Sequence, residues 1–481
     1  MELELDPVLN YVPDPVRHIH FMGVGGTGMG AMAGLMQQAG YQVSGSDQQV
    51  YPPMSDFLAA SGIAVRQGYS ADNLLPRPDL VVVGNVIGRA NPEAVGLARA
   101  RIPYLSFPQA LARFFLTDRQ SLVVAGTHGK TTTASLLATL LHEAGREPGF
   151  MIGGLVRAFG RNFNIGSGDC FVVEGDEYDT AFFDKGPKFL HYRPRLAIIT
   201  SIEFDHADIY ADLEAVKHSF RRLVAIMPRD GLLVACIDDP VVREIVAAAP
   251  CPVQGYGEVS DDLAWRLHAV EVGAQNTSFE VSLEGRPFGR FQSVMPGRHN
   301  ALNALAVIAV LHRLGIDRET MATGLSRFAG VRRRQEVRGE VEGITVIDDF
   351  AHHPTAVRET LAALADAYKG RRLLAVFEPR TNSSRRSVFQ EAYVGVFDRA
   401  ASIVVREPAA LDKVPLAERF SARRLVADLA ARGLDSHHFT TTEEILDHLG
   451  RFARPGDVIA ILSNGGFDNI HERLLERLAA R

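Results

Sequence analysis

Cysteine is scarce: Cys170, Cys236 and Cys251 are the only three, and neither their number nor their spacing suits a disulfide framework or a zinc site. They read as small, reduced core residues of a cytoplasmic protein. No apolar run reaches the roughly 20 residues that a membrane-spanning helix needs, and the acidic first residues carry no signal-peptide pattern. A basic excess is missing too. Lysine and arginine number 51 against 57 acidic residues, leaving a formal charge of −6, which argues against a surface that coats nucleic acid. Anionic ligands must therefore be met by local positive groups. Repeats and low-complexity tracts are absent, and nothing in the pattern specifies an oligomeric state.

What is present is the composition of a soluble enzyme, 46% apolar and 22% charged, on a chain of 481 residues that is too long for one core. Strand-like runs alternate with helical patterns throughout, which predicts mainly parallel α/β sheets. The polar stretch near 116–119 and the basic run Arg332, Arg333, Arg334 after Gly330 divide the chain into 1–118, 119–331 and 332–481. Residues 252–294 alternate apolar and polar side chains and are expected to form an antiparallel appendage.

Chemistry concentrates first at Gly126, Thr127, His128, Gly129, Lys130, Thr131 and Thr132. An apolar run precedes them, and Leu136, Leu137, Leu140 and Leu141 recur at helical spacing behind them, so the order is strand, glycine loop, helix. Such a loop aims backbone N–H groups and a helix N-terminus at an anion. Lys130 adds a point charge, and the Thr131 hydroxyl suits a magnesium ion on the phosphates. The expected ligand is a nucleoside triphosphate, although two residues separate the glycines where the common P-loop has four.

Two further strands of this unit end in polar groups, at Glu174 to Glu177 and at Glu203 to His206. In open parallel sheets ligands lie beyond the carboxyl ends of strands. Two magnesium ions are therefore expected, one beside Thr131 and one held by Glu174 and His206. In the first unit Gly23, Gly25, Gly26, Thr27 and Gly28, followed by Asp47 at the end of the second strand, fit a dinucleotide fingerprint. That pattern alone allows NAD and hydride transfer, or the diphosphate of another nucleotide. In the last unit Asp348, Asp349, His352 and His353 follow a strand and fit a metal site, a ribose contact or a solvated turn equally well. Arg380 stands at another strand end, where a guanidinium suits a carboxylate.

Taken together, these residues resemble the Mur ligases, ATP-dependent enzymes that build the peptide of bacterial cell walls. The match covers nearly the whole chain: Gly126 to Thr132 with its short spacing, Glu174, Asp205 and His206, Gly297 to Asn303, and Gly330 to Glu336. The resemblance implies an α/β, three-domain architecture, with an N-terminal Rossmann-like UDP-binding domain, a central P-loop ATPase domain and a C-terminal Rossmann-like domain. It implies ATP and Mg2+, with Lys130, Glu174 and His206 at the reaction centre, Asn300 and Asn303 at the adenine, Asp349 at the ribose and Arg334 at the γ-phosphate. Gly23 to Gly28 with Ser46 and Asp47 would hold the uridine diphosphate of UDP-N-acetylmuramate.

Two branches of the family compete, one adding L-alanine and one adding a recycled murein tripeptide. The stretches at 51–55, 179–189, 378–382 and 463–467 resemble the tripeptide branch. Arg380, Asn382, Ser463, Asn464 and Gly465 would then receive the peptide. Lys217 does not match the spacing of the carbamylated lysine found in some relatives. No nucleic-acid or membrane partner is implied.

Overall fold

The computed structural model describes residues 4–481 except 53, 274–275, 410 and 412–413. Pro53, part of the 51–55 motif, lies outside the described residues. Three α/β units follow one another. The first is a five-stranded parallel sheet in the order Ala64–Gln67, Gln42–Asp47, His18–Met22, Leu80–Val83, Tyr104–Ser106. Its strand order reverses beside His18–Met22, so the crevice at a topological switch point opens where Gly23 to Gly28 follow that strand.

The central unit holds a ten-stranded sheet. Its parallel heart runs Leu232–Cys236, Leu196–Ile199, Gln120–Ala125, Cys170–Gly175, Gly149–Val156. Strand Leu196–Ile199 is buried at every position, as expected of a strand covered by helices on both faces. The stretch expected as an appendage instead continues this sheet. Val253–Gly257 pairs parallel with Leu232–Cys236, and a meander of Trp265–Val272, Thr277–Leu283 and Arg286–Ser293 extends it. The reason is burial: Trp265, Phe279 and Phe291 turn inward into one core cluster with Leu305, Val307 and Ile308 of the helix Arg298–Arg313.

Helix Lys130–Glu143 lies beneath the central sheet, with every residue from Thr131 to Leu141 buried. It packs on helices Arg298–Arg313 and Arg318–Arg327, and the approach is close: a Cβ on Gly324 would stand 2.8 Å from Leu140 Cγ. The first unit docks through helix Thr27–Gln38 against strand Arg161–Asn164, with Phe57 and Phe163 edge to face at 5.7 Å. Apolar residues of both units form one continuous cluster there.

The third unit is a six-stranded sheet ordered Glu336–Val341, Ile344–Asp349, Val458–Leu462, Leu373–Phe377, Ser402–Arg406, Ser436–Phe439. Only the first of these strands runs antiparallel. Among the described residues, no helix is long and apolar enough to cross a membrane.

Candidate active site

Strand Gln120–Ala125 delivers the glycine loop. Gly126 sits at φ 132° and Gly129 at φ 79°, a region that side chains with a Cβ rarely adopt. Neighbours enforce the choice, since a Cβ on Gly126 would fall 2.1 Å from Thr200 Oγ1 and one on Gly129 2.7 Å from Asn303 Oδ1. The adjacent strand end clamps the loop: the Thr200 hydroxyl donates to His128 O at 2.5 Å, and Thr127 N–H donates to Ser201 O at 2.8 Å. No side chain caps helix Lys130–Glu143, so its first N–H groups remain available to an anion.

Lys130 Nζ donates to Gly126 O at 2.6 Å and to Glu177 Oε2 at 3.0 Å. Burial discourages its charge, yet Glu177, Asp176 and Glu174 outweigh that and hold its pKa above the ordinary lysine value. Thr131 Oγ1 donates to Glu174 Oε2 at 3.1 Å, and Arg334 Nη2 donates to the same hydroxyl at 3.2 Å. Glu174 also accepts from Gly153 N–H at 2.6 Å. Burial and then Asp176 push its pKa up, so a cation beside it would relieve a real electrostatic cost.

Glu174 and His206, expected to hold one magnesium ion together, both border the Lys130 loop, Glu174 through Thr131 and His206 through Glu177. His206 Nε2 lies 3.6 Å from Glu177 Oε1, and it is Glu177 that stands between the histidine and Lys130. Glu177 is 2% exposed, and in the sequence nothing distinguishes it from the other two acids of the same strand end. Asp176, another acid of the same strand end, pairs with Lys188 at 3.1 Å, and the Lys188 ammonium sits 4.0 Å from the centre of the Tyr178 ring.

Three cavities adjoin this centre. One of about 410 Å³ is lined by His128, Gly129, Thr132, Asn300, Asn303 and Arg334, with Asp349 at its wall. Asp349 is already engaged, accepting from Gln335 N–H and Ala351 N–H, each at 2.8 Å. Asn303 donates to Asn300 Oδ1 at 3.3 Å. A second cavity, of about 360 Å³, connects Gly26, Thr27 and Gly28 of the first unit to Glu174 and Asp176. Behind it Asp47 Oδ2 accepts from Gly25 N–H at 2.7 Å, which anchors the glycine loop. Gly23 takes the turn at φ 83°. Ser46 is fully buried with its hydroxyl on Glu93 at 2.8 Å, so its side chain faces the interior and away from the crevice.

The third cavity, of about 350 Å³, is lined by Asp205, His206, Arg380, Asn382, Ser383 and Asn464. Arg380 is half-exposed, and the buried Asn464 Oδ1 has no hydrogen-bond partner. Gly465 leaves room for Arg380, whose Cδ would lie 2.2 Å from a Cβ there. Ser463 turns away: it is fully buried and its hydroxyl donates to Glu378 at 2.5 Å.

The third unit closes over the central one through Glu203 and its neighbours. Thr355 Oγ1 donates to Glu203 Oε2 at 2.7 Å, Ala207 N–H donates to Ser383 Oγ at 3.1 Å, and Asn382 Nδ2 donates to Asp208 Oδ2 at 2.7 Å. His128 and His353 flank Glu203 at 3.3 and 3.5 Å. Burial opposes ionisation of Glu203, but His128, Thr355 and His353 hold its pKa down at about 2. His353 is pushed down to about 4, first by burial and then by His128, against the pull of Asp205 and Glu203.

Residues 18–119 match the family model described as Mur ligase family, catalytic domain; 124–311 match the Mur ligase middle domain; and 333–465 match the Mur ligase, glutamate ligase domain. A UDP-N-acetylmuramate–L-alanyl-γ-D-glutamyl-meso-2,6-diaminoheptandioate ligase of Escherichia coli is 40% identical over 465 residues, 96% of this chain and 98% of its own. The crystal structure of a murein peptide ligase from Psychrobacter arcticus aligns with TM-score 0.72 at 34% identity, covering 97% of this chain and 99% of that one. A UDP-N-acetylmuramate–alanine ligase from Thermotoga maritima aligns with TM-score 0.78 at 25% identity, covering 96% and 99%. Three consecutive domain models and full-length identity agree, and the chain belongs to the Mur ligase family.

Proposed function

We propose that this protein is an ATP-dependent amide ligase that joins UDP-N-acetylmuramate to the tripeptide L-alanyl-γ-D-glutamyl-meso-diaminopimelate, serving peptidoglycan recycling in the cytoplasm. The observation that carries the reading is the chain Thr131–Glu174 and Lys130–Glu177–His206, which stands where three cavities adjoin. A ligase of two anionic substrates and one amine needs three such approaches to one centre. The cavity at Asn300 and Asn303 would take the nucleoside of ATP, the crevice at Gly26 to Gly28 the diphosphate of the sugar nucleotide, and the cavity at Arg380 the peptide.

A carboxylate carries no leaving group, so an amine cannot displace its oxygen unaided. In the proposed sequence, the lactyl carboxylate attacks the γ-phosphorus of ATP, forming an acyl phosphate and releasing ADP. The free helix N-terminus at Lys130 and the Lys130 ammonium bind the phosphates, and Arg334 faces the transferring group. The donor set of Thr131 hydroxyl and Glu174 carboxylate, hard oxygens 3.1 Å apart, fits magnesium, which when bound would offset phosphate charge. The amine of the peptide then attacks the acyl carbon, the amide forms, and inorganic phosphate leaves with the carboxylate oxygen. His206, beside Glu177, stands on the side of the centre from which the amine arrives.

Tripeptide is favoured over L-alanine by the third cavity. Its open volume, the half-exposed Arg380 and the unpartnered Asn464 carbonyl suit a long acceptor bearing carboxylates and amides, and alanine alone would leave most of it empty. The 40% identity to the Escherichia coli tripeptide ligase supports the same reading. The test is transfer of oxygen-18 from labelled lactyl carboxylate into phosphate, with tripeptide and with alanine as acceptors. Label in phosphate with tripeptide is expected; phosphate without label rejects the acyl phosphate, and equal turnover with alanine rejects the acceptor assignment.

A further inference from the structure

A second cavity as large as the nucleotide cleft lies at the opposite end of the central sheet. It measures about 440 Å³ and is lined by Arg113, Arg119, Ser121, His191, Arg193 and Arg195, among others. Ser121 is the second residue of strand Gln120–Ala125 and Arg195 directly precedes strand Leu196–Ile199, so the cavity lies at the amino ends of these strands. The reaction centre lies at their carboxyl ends, about 20 Å away for a six-residue strand. None of the lining residues is acidic. Arg195 is neutralised by Asp230 at 2.7 Å and His191 by Asp184 at 2.8 Å. Among the described residues no carboxylate forms an ion pair with Arg113, Arg119 or Arg193.

Arg119 spends its Nη1 and Nη2 donors on the Ile165 and Gly166 carbonyls, which leaves Arg113 and Arg193 as the two arginines of this concavity without counter-ions among the described residues, in a chain of net negative charge. Two features show a built site in place of a chance surface of positive charge. The Ser121 hydroxyl, 3% exposed and lining the cavity, has no hydrogen-bond partner, an uncommon and costly state for a buried hydroxyl. Arg113 rides on a π-helical turn, Ala112–Leu116, a rare distortion that is frequent at functional positions. Burial also lowers the pKa of Arg119, as it does for a guanidinium partly stripped of water.

We propose that this cavity is a second ligand site, for a phosphate-bearing small molecule whose oxygens are received by Arg113 and Arg193 with the Ser121 hydroxyl, Arg119 adding positive charge to its wall. Guanidinium groups pair bidentately with phosphate, and the volume falls within the range of small-molecule sites. The apolar wall of Leu105, Leu116 and Leu190 accommodates the organic part of such a ligand. The π turn belongs to the connection between the first and central units, so the ligand holds the seat of the sugar-nucleotide crevice from behind. The site itself does not depend on the proposed ligase reaction.

Binding of inorganic pyrophosphate to the full chain, measured by equilibrium dialysis at physiological salt, tests it. Lys130→Ala removes the main phosphate contact of the nucleotide cleft; Arg113→Glu with Arg193→Glu reverses charge only in the new cavity, at exposed positions. The expected result is one pyrophosphate per chain retained in Lys130→Ala and weakened by about tenfold or more in the double variant, while ADP affinity of the double variant stays unchanged. Ser121→Ala should weaken pyrophosphate several-fold without altering ADP binding. Pyrophosphate binding that is abolished by Lys130→Ala, indifferent to the charge reversals, or absent from the wild-type chain overturns the proposal.

Discussion

Lys130 carries a charge that the resting fold already uses, through Glu177 at 3.0 Å. Phosphate would meet an ammonium that is pre-aimed and largely desolvated, which is where a fixed charge acts most strongly. Lys130→Ala should cut kcat/KM for phosphate release by roughly 10²–10³. It should also lower Tm, because it leaves Glu177 buried without its partner. Ligation at the wild-type rate would contradict the role. His353 gives a second residue-scale prediction. Its Nε2 donates to Phe204 O at 3.2 Å, and its Nδ1 accepts from Thr355 N–H at 3.3 Å, an arrangement that needs the neutral ring. With a folded pKa of about 4 against 6.5 when exposed, the folded state binds fewer protons between those values. Stability from this residue is therefore complete above pH 6.5 and declines as pH falls towards 4. Glu203 acts lower: its contribution is present above 4.5 and is lost as pH falls through about 2. Urea midpoints measured from pH 7 to 5 should fall less steeply in His353→Gln than in the wild type; identical slopes would exclude His353 as the source.

At the scale of elements, the glycine loop and helix Lys130–Glu143 act as one piece. The loop's positive φ angles turn the chain so that a helix buried from Thr131 to Leu141 presents an uncapped N-terminus to the cleft. Gly129→Ala should cost about 1–2 kcal/mol from φ 79° alone, before its Cβ meets Asn303. Loss of ADP affinity should accompany it in calorimetry, and an unaltered Tm would show that the loop relaxes freely. Such local order was legible in the sequence. Strand, glycine loop and helix at Gly126 to Thr132 follow from apolar periodicity and glycine placement, as do the loop after His18–Met22 and the strand Val458–Leu462. Short edge strands such as Ala64–Gln67, exposed along its whole length, left no apolar signature to read.

Across the whole molecule, the cleft is completed only when the third unit sits on the central one. Arg334 reaches Thr131 at 3.2 Å, and Thr355, Ser383 and Asn382 tie the third unit to the loop carrying Glu203 to Asp208. Phe204 adds an apolar contact, its ring 6.4 Å from that of Phe389, but most of the ties are polar, the kind of interface across which domains move. Thr355→Val combined with Ser383→Ala should enlarge the radius of gyration of the ligand-free protein in small-angle X-ray scattering, and ATP should restore the compact form. An unchanged radius would show that other contacts hold the closed state.

The chain alone determined what depends on near neighbours: three α/β units, an anion-binding loop, acids at the carboxyl ends of strands, and through these a family likeness. Which acid faces which cation was decided by the fold, because partners such as Lys130 and Glu177, or Glu203 and His353, come from separate strands, and strand order is set by packing. Glu174, Asp176 and Glu177 look alike in sequence, but burial and the three-dimensional neighbours of each give them different work. The same holds for Arg113, Arg119 and Arg193, ordinary surface residues in the sequence, which only tertiary structure gathers around one cavity.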